Sequence, residues 1–143
     1  MGNLSENFNY RDFTCKCDSC KGSGEYKIHL GLVGALELIV SHFKKKPTII
    51  SGFRCEDSAE KTTGTKRSFH ARGKAVHIYI DNVPLAELYK FVKDIPEIRG
   101  IGIHPKENMM HIDTRPGDRA EWVKEGDSNN PLTLEKKKQY GLI

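Results

Sequence analysis

Three histidines, His70, His77 and His111, are the residues of this 143-residue chain whose type and placement most directly suggest chemistry. Imidazole is the commonest metal-binding side chain. A mononuclear catalytic zinc takes three protein ligands and keeps a fourth position open for water, so three histidines from separate stretches are a sufficient donor set. His70 closes a long polar stretch, His77 follows seven residues later within an apolar run, and His111 sits in another such run beside Asp113. A single histidine in a strand is also an ordinary surface or hydrogen-bonded core residue, and spacing alone leaves both readings open. His29, His42 and His104 show no comparable pattern, although His104 is near enough in sequence to His111 to reach the rim of a pocket.

The cysteines form the other cluster of reactive groups: Cys15, Cys17 and Cys20 are bunched, and Cys55 is distant. In an exported chain such bunching suggests a disulfide, whereas in a reducing compartment it suggests thiols or a thiolate zinc site. Reduced thiols are the expectation, with a zinc site closed by Cys55 as the alternative.

Histidines so far apart must be brought together by secondary structure, and the sequence indicates which. Residues 4 to 29 read as an irregular arm with Phe8, Tyr10 and Phe13 as core anchors. From Leu30 to Phe43 apolar residues recur at spacings of three and four, which predicts a helix with one inward face, ended before Pro47. Thr48-Ile-Ile-Ser51 reads as a short buried strand, and residues 52 to 67 as a long loop. Ala75 to Ile80 alternates, so His77 shares a face with Ala75 and Tyr79 while Val76, Ile78 and Ile80 take the other. Pro84 opens a second helix carrying Leu85, Leu88, Val92 and Ile95 on one stripe. Arg99 to His104 and Met109 to Thr114 then read as two strands joined by a hairpin-sized turn, with His111 and Asp113 on one face. The tail from Arg115 reads as polar, ending in a short helix from Leu134 to Tyr140 with Lys136-Lys-Lys138 as a solvated face.

Composition narrows the class. At 16.2 kDa, with 37% hydrophobic and 29% charged residues, one domain is expected over residues 1 to 143. The apolar run from Leu30 to Val40 is interrupted by Gly31, Gly34 and Glu37 and is too short for a bilayer, which needs about 20 residues. The opening residues lack the basic and apolar segments of a secretory signal. A net charge of +4, with Lys44-Lys-Lys46 and Lys136-Lys-Lys138 as separate runs, does not make the basic aromatic stripe of a nucleic-acid binder. The expectations are therefore no membrane, no nucleic acid and a monomer.

Several motifs, in order, carry a family resemblance. Ser51-Gly-Phe-Arg-Cys55, then Ser68-Phe-His-Ala-Arg-Gly-Lys-Ala-Val-His77, then Met110-His-Ile-Asp-Thr-Arg115 resemble the M15 family of zinc D-Ala-D-Ala peptidases. Phe13-Thr-Cys15, Gly100-Ile-Gly-Ile103 and Arg119-Ala-Glu-Trp122 extend the likeness to the family's phage and bacterial branch, over residues 8 to 123, leaving 124 to 143 as a tail. The resemblance implies an α+β fold of the Hedgehog/D-Ala-D-Ala peptidase kind, an antiparallel sheet with flanking helices, and a zinc held by His, Asp and His. His70 and His111 match that pattern directly. His77 stands where the family has Asp, giving a three-histidine set that still suits zinc but adds one positive charge to the site.

The same resemblance assigns substrate-binding roles to Arg54, Ser51 and Ser68. A guanidinium suits a carboxylate because it offers a planar fork of donors. Hydrolysis further requires a proton carrier. Many family members place an acidic residue three positions before the last histidine, where this chain has Asn108, so Glu107 is the first candidate and Asp113 the second. Asp113 has an alternative role, orienting a zinc-bound histidine. Together these imply a zinc-dependent peptidase acting on peptidoglycan stem peptides, either a carboxypeptidase or an endopeptidase, cytoplasmic or phage-associated. The alternative is a non-catalytic M15-like binding or phage structural domain with a degenerate metal site.

Overall fold

The computed structural model describes residues 4–15, 28–53, 69–70 and 72–143. Among these residues six strands form one sheet: β1 (Thr48–Ser51), β2 (Ala75–Tyr79), β3 (Gly100–His104), β4 (Met109–Asp113), β5 (Ala120–Glu125) and β6 (Ser128–Pro131), in the spatial order β1-β2-β4-β3-β5-β6. Among the described residues three helices accompany it, α1 (Leu30–Phe43), α2 (Leu85–Val92) and α3 (Leu134–Gln139), with a 3-10 turn at Tyr10–Phe13. The class is α+β.

The sheet is mixed rather than the antiparallel one the family resemblance implies. β4 already has β2 on one side and β3 on the other, so the chain leaving Asp113 cannot pair beside β4 and passes to the free edge of β3. It re-enters beside the start of β3, with Ala120 opposite Gly100, and β5 therefore runs parallel to β3.

Alternation gives the sheet two different faces. Val76, Ile78, Ile101, Ile103, Met110, Ile112 and Val123 point one way and form the core with Leu32, Leu36 and Ile39 of α1 and Leu88, Tyr89 and Val92 of α2. Phe8 and Phe13 of the N-terminal arm are fully buried in it, as their sequence suggests. The arm is tied to α1 through Glu37, which accepts hydrogen bonds from Ser5 Oγ at 2.6 Å and from Asn7 Nδ2 at 2.6 Å. Those bonds outweigh the upward pull of burial and hold the Glu37 carboxyl below its usual range.

The tail also departs from expectation. β5 and β6 form a hairpin around Gly126-Asp127, with Gly126 at φ +64°, a conformation that favours glycine. The lysine run of α3 is not simply a solvated face: Lys136 Nζ lies 2.8 Å from Glu125 and Lys137 Nζ 3.4 Å from Glu121, so two of its three ammonium groups dock the helix on β5. Arg119 fixes the other end of this layer by donating to the carbonyls of Lys93, Ile95 and Ile98, which follow α2.

Candidate metal centre

The polar face of the sheet gathers the chemistry. His77 on β2 pairs in register with His111 on β4, which pairs with Gly102 on β3 and through it with Trp122 on β5. Paired residues share a face, so one row across four strands reads His77, His111, Gly102, Trp122. Asp113 lies one pair further along on the same side, opposite Gly100.

His70 comes from a turn just ahead of β2. Lys74 N–H donates to Phe69 O at 2.9 Å, Gly73 N–H donates to His70 O at 3.2 Å, and Gly73 sits at φ +71°, so the chain folds back tightly enough for His70 and His77 to face the same space. The imidazole is 3% exposed and its Nδ1 is 2.9 Å from the carbonyl of Gly52. A carbonyl only accepts, so Nδ1 carries the proton and Nε2 holds the lone pair. Gly52 is itself required: a Cβ there would meet Phe13 Cα at 2.9 Å, in a segment where Phe53 N–H donates to Phe13 O at 2.9 Å.

One ligand atom from each of His70, His77 and His111 lies within 4.8 Å of the others. His111 Nε2 is 2.7 Å from Asp113 Oδ2, so this nitrogen is the protonated one and Nδ1 presents its lone pair inward. That Nδ1 is 3.1 Å from His77 Nε2, so the two rings face each other across the space that His70 also borders. Three imidazoles converging from a turn and two neighbouring strands suit a borderline-soft divalent ion, and the donor set fits zinc.

Asp113 is fully buried. Burial alone would raise its pKa, but hydrogen bonds from His111 and Arg115 reverse that and hold the carboxyl well below its usual range. The carboxylate fits because the two glycines of Gly100-Ile-Gly102 face it and the indole: a Cβ at Gly100 would stand 2.1 Å from Asp113 Oδ2, and one at Gly102 would stand 2.5 Å from Trp122 Nε1. The alternating glycines thus mark the functional face of β3.

The other sequence-derived candidates are distributed as follows. Ser51 pairs with His77 across a β-bulge at the end of β1, which skips Ile50 and puts the serine on the histidine's face. Glu107 lies in the β3–β4 turn with Lys124 Nζ at 3.5 Å from its carboxylate, outside the histidine cluster. Burial opposes ionisation there, but a backbone hydrogen bond and the charge of Lys124 keep its pKa below the ordinary value. Arg54 and Ser68, with Cys17, Cys20 and Cys55, lie outside the described residues; Cys15 is buried.

His104 and Trp122 were not assigned to the site from sequence. The His104 ring reaches across β4 to within 5.1 Å of the His77 ring, and its buried Nδ1 has no hydrogen-bond partner among the described residues. Burial, aided by Lys124 and His111, pushes its pKa down to about 4, so it is a neutral imidazole. Trp122 packs 5.0 Å from His111. The alternation of Gly100, Gly102 and His104 could have placed His104 on the glycine-marked face.

Among the described residues no helix is long and apolar enough to cross a membrane. The peptidoglycan L,D-endopeptidase MepK of Escherichia coli K12 is 31% identical over 78 residues, covering 51% of this chain and 42% of that protein. A probable peptidoglycan L,D-endopeptidase MepK of Haemophilus influenzae is 35% identical over 51 residues, covering 36% of this chain and 27% of its own. The chain thus spans less than half the length of these curated relatives. No solved structure matches it. The peptidase M15 family model matches residues 6–113, which contain the turn histidine, the paired strand histidines and the buried carboxylate just described, and the chain belongs to that family.

Proposed function

We propose that this chain is a zinc-dependent peptidase that hydrolyses peptidoglycan peptides. The observation that carries the reading is the convergence of His70, His77 and His111 to within 4.8 Å on one sheet face. Bound there, zinc would supply Lewis-acid polarisation of a peptide carbonyl and activation of water at neutral pH. The names of the related proteins favour endopeptidase cleavage of a stem peptide over carboxypeptidase action. A sheet with helices on its apolar face and histidines on the other supports a D-Ala-D-Ala peptidase-like fold.

The residues divide the work by environment. His70 is oriented by Gly52, and His111 by Asp113, so each presents a fixed nitrogen. Asp113 is engaged by Arg115 and His111 and is too weakly basic to carry protons in the reaction. Glu107, with a 40% exposed side chain and one ion pair, is the carboxylate proposed to accept a proton and return it to the leaving amine. Ser51, Arg54 and Ser68 are proposed to hold the peptide. The commitment of Asp113 and the presence of Asn108 before β4 favour the second reading, a binding domain that keeps the metal but not turnover.

The test is turnover of purified muropeptides by the full chain, with and without a chelator, beside Glu107→Gln. Cleavage that chelation abolishes and zinc restores, and that falls by about 10²-fold or more in Glu107→Gln, supports the reading. Stoichiometric zinc with no cleavage supports the binding domain instead.

A further inference from the structure

Arg115 is absorbed by none of the roles above, yet it touches the supports of two histidines that come from different parts of the chain. Its Nε donates to Asp113 Oδ1 at 2.9 Å and its Nη2 to Asp113 Oδ2 at 2.7 Å, while its backbone N–H adds a third bond to Oδ1 at 3.1 Å. Oδ2 is the same oxygen that accepts the His111 Nε2 proton. The Arg115 Cζ also lies over two rings, 4.7 Å from the centroid of Phe69 and 5.1 Å from that of Trp122. Phe69 immediately precedes His70 in the turn closed by Lys74, and Trp122 packs on His111.

We propose that Arg115 is a positioning residue that locks His111 through Asp113 and His70 through Phe69, setting the separation of two members of the cluster with one side chain. The role requires arginine. A bidentate fork fixes the rotation of the carboxylate, and a planar cation stacks on two aromatic faces at once; an ammonium is a point charge that does neither together. With the carboxylate fixed, His111 keeps the tautomer whose Nδ1 faces His77. With Phe69 held, the turn carrying His70 stays at the distance that convergence needs.

The affinity arm of the test rests on the zinc reading; the spectroscopic arm does not. In the full chain, Arg115→Lys and Phe69→Leu are compared with the unaltered protein by long-range proton–nitrogen spectra of the metal-free imidazoles and by zinc affinity in competition with a chromophoric chelator. Arg115→Lys is expected to shift the ring signals of both His70 and His111, with loss of the single His111 tautomer, and to weaken zinc binding about 10–100-fold, the usual range for groups that orient ligands. Phe69→Leu, which leaves the fork intact, is expected to move His70 alone and to weaken zinc binding less. Unchanged signals with zinc affinity within twofold in Arg115→Lys would overturn the proposal. A response confined to His111 in Arg115→Lys would also overturn it, by reducing Arg115 to the counter-ion of Asp113. If the unaltered chain takes up no zinc, the metal reading fails while the imidazole spectra still decide the role of Arg115.

Discussion

Replacing Gly100 with alanine puts one methyl group into the supports of the histidine cluster. The new Cβ would stand 2.1 Å from Asp113 Oδ2, 2.3 Å from Oδ1 and 2.4 Å from Cγ, so the whole carboxylate must retreat. A displacement of about 1 Å lengthens its bonds to His111 and Arg115 beyond the hydrogen-bond limit. The carboxylate is fully buried, so it has no water to turn to. Overpacking of this kind costs about 1–3 kcal/mol, and disrupting a buried ion pair costs about 3–5 kcal/mol. Allowing for overlap between the two, we expect a loss of about 4 kcal/mol, seen as a fall in Tm of roughly 10–15 °C in a domain of this size. Thermal and urea unfolding of the metal-free protein measure it. Zinc affinity should fall in parallel, by about 10–100-fold, because His111 loses the acceptor that fixes its tautomer. A Gly100→Ala protein whose stability lies within about 1 kcal/mol of the parent, with unchanged zinc binding, would refute the claim that glycine is needed to seat Asp113.

Three further outcomes follow from the same structure. Gly34 is exposed in the middle of α1, where a Cβ meets nothing within 4 Å, so Gly34→Ala should raise stability by about 0.5–1 kcal/mol, read as an increase in Tm. Stability of the metal-free chain should fall on acidification between pH 6.5 and about 4, because burial lowers the folded-state pKa of His104 and the unfolded chain therefore binds more protons in that window. At 1.36 kcal/mol per pK unit the loss is at most about 3 kcal/mol, and His104→Asn should flatten this part of the profile. Asp113, whose folded pKa is depressed, contributes stability that is lost only at lower pH, below its ordinary value near 3.8. Arg119→Met removes the donors to three carbonyls after α2 and should lower the urea midpoint by the equivalent of about 2–3 kcal/mol with little change in m.

The parts of the molecule that the sequence made legible are those where one side of an element is uniformly apolar. The spacing of Leu32, Leu36 and Ile39 gives α1, and the alternation of Val76 and Ile78 around His77 gives β2 and the side the histidine takes. The β5–β6 hairpin was hidden because its inward positions are not all apolar. Val123 is buried, but Glu121 also points toward the helices, where Tyr89 Oη donates to it at 2.7 Å and Lys137 and Arg119 offset its charge. The two-residue Gly126-Asp127 loop was the available signal. The parallel pairing of β5 with β3 depends on which sheet edge the chain joins and from which end, a property of the assembled sheet rather than of any local pattern. For His104, which the sequence brings only to the rim of a pocket, and for Trp122, proximity to the cluster arises across strands, over glycines whose role becomes visible only when Asp113 and the indole are seen above them.

The central claim is that three imidazoles share one divalent ion, and its most direct test is elemental analysis of the purified chain beside His77→Ala and His77→Asp. The account predicts one zinc per chain in the parent, retention in His77→Asp, which restores the family's carboxylate at that position, and loss in His77→Ala. Zinc absent from the folded parent, or equally present in both variants, would contradict it.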